Sequence, residues 1–593
     1  MTDANSVRMD SRGASLILAG AMCLIPFLQP RHFLPIRTFY DEWLAFAFGL
    51  AALGLSVLSR KGTATRVPTL SLYLGLFSLT LALYALLRSS AYPQTALLWA
   101  LYVLFAALLV ILGQGYAMAF GRDRCCDLLA GFLLAGALLN AIAGVLQVAG
   151  IPPQIDSFIS YLHGKRAIGN VGQSNLYANY LALGTASLIY LFVRQKIGLW
   201  PAVGAALLLL IGIALSASRT GMLYLGYLAA LSLAAPRRDR LPVVEGLRGA
   251  SLAMLFTGLL LLWLVPLLLN SAGFSIEGGF RRSVPAEWIS TQDAATGLRI
   301  LAWELAWKLF SGAPLFGVGA GEFPGAAFAL GLPPAMANGE VWTSPHNLIL
   351  QLLAETGLSG AVPVCVGLLI WLRRSTAEFL RLQDAAIWWV AACAGIGLLH
   401  AMLEYPFWYA NFLAITALIL GIGATGGLAV RPGVIRALIG GSAVAGGLVL
   451  ASVLYDYVRF DLAISPSSGR SLASESEVRE SRVTMRSLSH GLLAPRVELW
   501  LFLALPLDSH DLEEKLSIGR RVVRVWPSSH VVSHQAIFLA LSGHNDEAVA
   551  LITQGLKSSA SQRARIFDYV AEAPSNARSV LQPVINATLP RPH

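Results

Sequence analysis

Five short stretches of this 593-residue chain carry residue types that can do chemistry. A candidate base lies in Pro345-His346-Asn347-Leu348-Ile349-Leu350-Gln351, which runs on to Glu355-Thr356-Gly357. An imidazole titrates near neutrality, so His346 can take a proton from an incoming hydroxyl, with Asn347 and Gln351 as hydrogen-bonding neighbours. A helix cap or a satisfied polar group explains a histidine at a helix start equally well. Ser216-Ala217-Ser218-Arg219-Thr220 sets an arginine between two apolar runs, where it either snorkels to headgroups or binds an anion. Arg299, in Thr296-Gly297-Leu298-Arg299-Ile300-Leu301-Ala302-Trp303, sits on a predicted amphipathic helix. It is a second anion-binding candidate, or a solvated or interfacial position beside Trp303 and Trp307.

The other two stretches suit hydroxyl-rich ligands. In Gly169-Asn170-Val171-Gly172-Gln173-Ser174-Asn175, the amides of Gln173 and Asn175 can bind sugar hydroxyls or phosphate oxygens. An ordinary turn with an asparagine cap fits the same pattern. In Glu404-Tyr405-Pro406-Phe407-Trp408-Tyr409, Pro406 breaks a helix and the aromatics form a sugar platform or an interfacial belt. A belt does not explain Glu404. Two arginines on one face could clamp a diphosphate through bidentate bonds, with a histidine nearby to deprotonate a hydroxyl.

The elements that must position these groups are membrane helices. Hydrophobic residues make up 56% of the chain and charged residues only 13%, against about 25% charged in a soluble protein. The mean hydropathy is +0.64. Apolar runs of spanning length recur near residues 14–29, 43–59, 69–87, 95–120, 127–149, 174–193, 198–216, 220–235, 250–270, 347–372, 386–403, 408–428 and 434–455, which predicts about thirteen transmembrane helices. Arg8 and Arg12 precede the first run, which no small-residue cleavage site follows, so it reads as a retained helix.

The net charge of +10 resides mostly in short loops, a topology signal rather than a nucleic-acid surface. With the N-terminus inside, the cytoplasmic loops hold Arg60, Lys61, Arg66, Arg122, Arg124, Arg194, Lys196, Arg237, Arg238, Arg240, Arg248, Arg373, Arg374, Arg381, Arg431 and Arg436. The opposite loops hold only Arg31, Arg37, Arg88, Lys165 and Arg166. The C-terminus is then external, as are all five stretches and the loop at about 271–346. Cys23, Cys125, Cys126, Cys365 and Cys393 show neither metal-site spacing nor a disulfide framework.

The expected organisation is a transmembrane domain over 1–455 and a soluble helical domain over 456–593, joined by a Ser-rich linker at Ser465 to Ser476. Ala536 to His544, followed by Asp546-Glu547-Ala548, suits either one tetratricopeptide-like hairpin or an irregular helical domain.

Ser218-Arg219-Thr220, Gly317-Val318-Gly319-Ala320-Gly321-Glu322-Phe323 and His346-Asn347 with Gln351 and Gly357 resemble the O-antigen ligase and polymerase superfamily. The Gly169 to Asn175 and Glu404 to Tyr409 stretches narrow the likeness to bacterial protein O-oligosaccharyltransferases, which glycosylate pilins and other exported proteins. The resemblance implies an all-α, GT-C-like helix bundle in the bacterial inner membrane, with the 271–346 loop and the tail in the periplasm. It implies a glycan donor on undecaprenyl pyrophosphate and a protein acceptor. By the same resemblance His346 is catalytic, Arg219 and Arg299 hold the pyrophosphate, and Gln173, Tyr405 and Tyr409 fall at functional positions. Asn175, Asn347 and Glu404 are further glycan- or acceptor-binding candidates. Leu176 stands where the family often has a histidine, so that histidine's role does not carry over.

The motifs contain no Asp-x-Asp or paired carboxylates, so neither metal nor cofactor is expected. The same donor would serve an O-antigen ligase acting on lipid A-core, or a polymerase. A many-helix transporter also explains the hydropathy, but not polar clusters gathered on one face; the paired broken repeats of such proteins are not visible here.

Overall fold

Each apolar run folds as a helix, because a backbone shielded from water must close its hydrogen bonds within its own segment. The computed structural model describes residues 11–58, 66–162, 164–235, 242–273, 293–331, 343–382, 384–467, 474–557 and 560–588. Arg8, Arg60, Lys61, Arg237, Arg238 and Arg240, the middle of the linker, and parts of the 271–346 loop lie outside these residues.

The helices, in chain order, are α1 (Ser11–Met22), α2 (Phe39–Leu58), α3 (Thr69–Leu87), α4 (Pro93–Phe120), α5 (Arg122–Ala149), α6 (Ser174–Val193), α7 (Leu199–Leu215), α8 (Arg219–Ala234) and α9 (Pro242–Ser271). Next come α10 (Asp293–Gly312), α11 (Phe323–Ala329), α12 (Leu348–Leu382), α13 (Ala385–Ala401), α14 (Ala410–Ile422) and α15 (Pro432–Ser467). The tail supplies α16 (Glu475–Leu488), α17 (Ala494–Leu503), α18 (Leu512–Val523), α19 (Ser529–Leu541), α20 (Asn545–Leu556), α21 (Ala560–Ala571) and α22 (Ser575–Thr588). Arg66–Val67 and Leu428–Ala429 form a short antiparallel pair.

Among the described residues, nine helices are long and apolar enough to cross a membrane. The remaining apolar runs are the shorter α7, α8, α13 and α14, of 17, 16, 17 and 13 residues. The protein is therefore an all-α, multi-pass membrane protein with a mostly soluble helical C-terminal region.

The chain divides into two compact units. The first comprises Met1–Leu76, Tyr102–Trp288 and Val364–Leu450. Its centre is α6, buried along nearly its whole length and surrounded by α5, α7, α8, α9 and α13. A helix that is apolar all round belongs inside, and several of its polar groups are satisfied there. Ser187, for example, donates to the Leu183 carbonyl at 2.8 Å and accepts from the Trp389 indole at 3.1 Å.

The second unit comprises Phe77–Leu101, Ile289–Pro363 and Ala451–His593. In the tail, each helix from α16 to α22 packs on the next, among them α19 and α20, which carry the Ala536 to Ala548 stretch. This unit also contains a broken helix. Within α12, Gly357 adopts φ 61° and ψ −158°, outside any helical conformation. The break frees carbonyls on one side and amides on the other, and the loop before α11 takes up both. Val318 N donates to Ala354 O at 2.8 Å and Gly319 N to Glu355 O at 3.0 Å. In return Leu358 N donates to Pro314 O at 2.9 Å and Ser359 N to Leu315 O at 3.1 Å. The backbones touch so closely that a Cβ at Gly317 would lie 2.3 Å from the Glu355 carbonyl carbon, and one at Gly357 2.5 Å from that of Leu315.

Gly357→Ala is expected to destabilise the protein by roughly 1–3 kcal/mol through backbone strain alone, with the clash adding to it. Thermal unfolding in detergent measures this; an unchanged midpoint would contradict the pairing of the two backbones.

Candidate functional site

In the second unit the chemistry gathers at the start of α12. His346 is half-buried and holds a left-handed backbone, φ 54°, just before the helix. Few non-glycine residues adopt that conformation, and it tends to mark functional sites. Its backbone N–H donates to Ser344 Oγ at 3.1 Å, and its Nδ1 lies 3.0 Å from the Ser344 carbonyl oxygen. A carbonyl can only accept, so Nδ1 carries the proton and a neutral ring has its lone pair on Nε2. Burial lowers the imidazole pKa to about 4, and the positive charge of Arg299 acts in the same direction. The ring is therefore neutral at pH 7.

Arg299 reaches this position through α10. Trp303, one turn along the same helix face, donates its indole N–H to the Pro345 carbonyl at 3.0 Å and ties α10 to the residue preceding His346. Asn347 accepts from Leu350 N at 3.1 Å through its side-chain oxygen, which caps α12. Below the cap, Gln351 and Glu355 are fully buried on the half-helix ahead of the break. Glu355 Oε1 accepts the Phe323 amide at 3.1 Å, which joins α11 to that half-helix.

In the first unit the hub is Asn175, in the first turn of α6. Its Nδ2 donates to Glu404 Oε1 at 2.9 Å. Its Oδ1 accepts from Ser218 Oγ at 2.8 Å and from Arg166 Nη2 at 3.2 Å. Arg166 also donates from Nε to the Ser216 carbonyl at 2.9 Å, bracing the turn that leads into α8. That turn contains Ala217 at φ 48°, and Arg219 emerges exposed as the first residue of α8. The Ser218–Asn175 bond sets the N-termini of α6 and α8 side by side, and helix N-termini favour anions. Gln173 is half-buried at the cap of α6. The Tyr405 and Tyr409 rings lie 5.9 Å apart, tilted by 36°, immediately after Glu404.

The first unit thus joins Asn175, Glu404 and the Arg219 turn in one hydrogen-bonded cluster. The second unit joins His346, Asn347 and Arg299. Several members escaped the sequence reading. Arg166 counted only as a loop charge, although its place just before the Gly169 turn could have drawn attention. Tyr224, which bonds to Thr220 and to His400 Nδ1, extends the Ser218–Thr220 contact inward. Nothing in the local pattern separated it from a core tyrosine.

Parts of the chain are similar to known proteins. Residues 204–365, which include Arg219, Arg299 and His346, match a family described as O-Antigen ligase. Residues 388–568, which include Glu404 to Tyr409, match one described as Virulence factor membrane-bound polymerase, C-terminal. A protein described as General O-oligosaccharyltransferase, from Acinetobacter baylyi, is 26% identical over 428 residues, 69% of each chain.

The imidazole of His346, followed by NMR in protein labelled at histidine nitrogen and assigned with His346→Ala, should protonate near pH 4 rather than 6.5. Arg299→Gln removes a cation that disfavours the imidazolium, so it should raise that pKa. An unchanged or lower value would sever the electrostatic link between the two residues.

Proposed function

We propose that the chain is a member of the bacterial O-antigen ligase/O-oligosaccharyltransferase family, a reading supported by these matches, and that it transfers a glycan en bloc from undecaprenyl pyrophosphate to Ser or Thr hydroxyls of exported proteins such as pilins. The observation that carries this reading is His346: neutral, with its proton held on Nδ1 and the Arg299 cation close enough to act on it. Nε2 accepts the acceptor hydroxyl's proton as the oxygen attacks the anomeric carbon of the first sugar. The bond from that carbon to the pyrophosphate oxygen breaks, and undecaprenyl pyrophosphate leaves with the electron pair. Arg219 and Arg299 neutralise the charge that builds on the leaving group. Gln173, Asn175, Asn347, Glu404, Tyr405 and Tyr409 bind glycan or acceptor, and Asn347 also caps the helix that follows His346.

The accompanying architecture is a GT-C-like transmembrane domain of about thirteen spans over 1–455, with a periplasmic domain over 456–593 that includes a tetratricopeptide-like hairpin. The N-terminus is cytoplasmic, and both arginines and His346 work at the periplasmic face of the inner membrane. No metal is required. The protein acceptor draws support from the Acinetobacter baylyi relative's description as a general O-oligosaccharyltransferase. The O-Antigen ligase match favours a second reading, with lipid A-core as acceptor.

One assay separates the two. In cells that make a lipid-linked glycan and contain both a pilin and lipid A-core, a mass shift on a pilin Ser or Thr is expected. Modification of lipid A-core alone would select the second reading. His346→Ala should abolish transfer with normal expression and insertion, and EDTA should leave the purified enzyme active; full activity in the first case, or Mg²⁺-reversible loss in the second, would overturn that part.

A further inference from the structure

The soluble tail grips the loop that closes the α12 break. Arg524, just after α18, donates from Nη2 to Glu322 Oε2 at 2.5 Å, and Glu322 Oε1 accepts Ala91 N at 2.8 Å. The Glu322 carboxylate is 8% exposed, so these partners rather than water satisfy it. The Arg524 carbonyl presses on α11 where only glycine fits: a Cβ at Gly325 would lie 2.1 Å from that oxygen. Gln554, on α20, donates to the Phe328 carbonyl at the other end of α11. A parallel link runs through Tyr92, whose hydroxyl donates to Glu498 Oε2 at 2.7 Å, while Arg521 holds Glu498 with bonds of 2.9 and 2.7 Å.

The grip continues to the candidate base. Glu322 is followed by Phe323, whose amide is held by the Glu355 carboxylate, and Gly319 N is held by the Glu355 carbonyl. Glu355 belongs to the half-helix that begins directly after His346 and Asn347. We propose that the C-terminal helices are a scaffold for the His346 half-helix, acting through the Arg524–Glu322 bond, which makes Arg524 and Glu322 positioning residues for transfer.

The kinetic part of this proposal rests on the function proposed above, so the experiment has a second readout that does not. Full-length Arg524→Ala, Arg524→Lys and Glu322→Gln are compared with wild type by amide hydrogen exchange and by transfer kinetics. In Arg524→Ala, the Val318, Gly319 and Phe323 amides should exchange at least roughly tenfold faster, while α17, α19 and α20 keep their protection. Misplacement of the base should lower kcat by roughly tenfold or more, with KM within about twofold. Arg524→Lys, which keeps the charge and can keep a single bond to the carboxylate, should recover most of both effects. Glu322→Gln keeps an acceptor for Ala91 N but loses the charge, and should fall between.

Unchanged exchange at the three amides, or unchanged kcat, overturns the proposal, as does a rise in KM alone. If Arg524→Ala does not fold, Glu322→Gln carries both measurements and the same outcomes apply. If wild type transfers to no acceptor, the proposed function fails and the exchange result alone judges the scaffold.

Discussion

A helix of spanning length cannot break unless something supplies the hydrogen bonds it gives up. In α12 the break at Gly357 frees carbonyls at Ala354 and Glu355 and amides at Leu358 and Ser359, and one loop satisfies all four from its own backbone. Unpaired peptide groups shielded from water cost several kcal/mol each, so this pairing decides whether the half-helix that starts after His346 exists at all. Its demands also account for the glycines. Gly317 and Gly357 lie where each backbone meets the other's carbonyl carbon, and no side chain fits at either place.

Around this anchor, polar groups are placed so that each restricts another. Trp303 reaches from α10 to the Pro345 carbonyl, and the Ser344 carbonyl selects the tautomer of His346. In the first unit Asn175 links a buried carboxylate, a hydroxyl and a guanidinium that come from separate stretches of chain. A cluster of this kind is rigid because any one rotation leaves another member unsatisfied. Rigidity is what a site needs when its task is to hold charge where charge will develop.

The helices were legible in the sequence because hydropathy is a local property, summed over a window and insensitive to what packs where. Their lengths were less so. Runs such as 408–428 yield the 13-residue α14: the aromatic turn delays its start to Ala410, and it ends at Ile422, ahead of Gly426 and Gly427 at positive φ and the short strand at Leu428–Ala429. Of the candidate site, the residue types that bind charge were legible, while their partners were not. Gly317 to Phe323 and Gly357 were each visible as motifs, yet their shared hydrogen bonds form between distant segments and leave no periodicity. Glu322 fell within that visible motif, but nothing in it pointed to Arg524, 202 residues away. Arg166 was misjudged for a different reason: a loop arginine serves equally as a topology charge or as a brace, and only the Ser216 and Asn175 contacts distinguish them.

The low basicity of His346 bears on how such a site would work. A ring that protonates near pH 4 is a poor proton acceptor at neutrality, and the two causes are burial and the Arg299 cation. A diphosphate on the proposed reading would oppose the second. Its negative charge would offset that of Arg299, and an anion beside an imidazole favours the protonated ring. The base would strengthen only once the leaving group is in place, at the moment when Arg299 turns from a neighbour that weakens it into a partner of the departing oxygen. Binding of the donor would then precede deprotonation of the acceptor, and that order follows from the charges alone, without any movement of the helices that carry them.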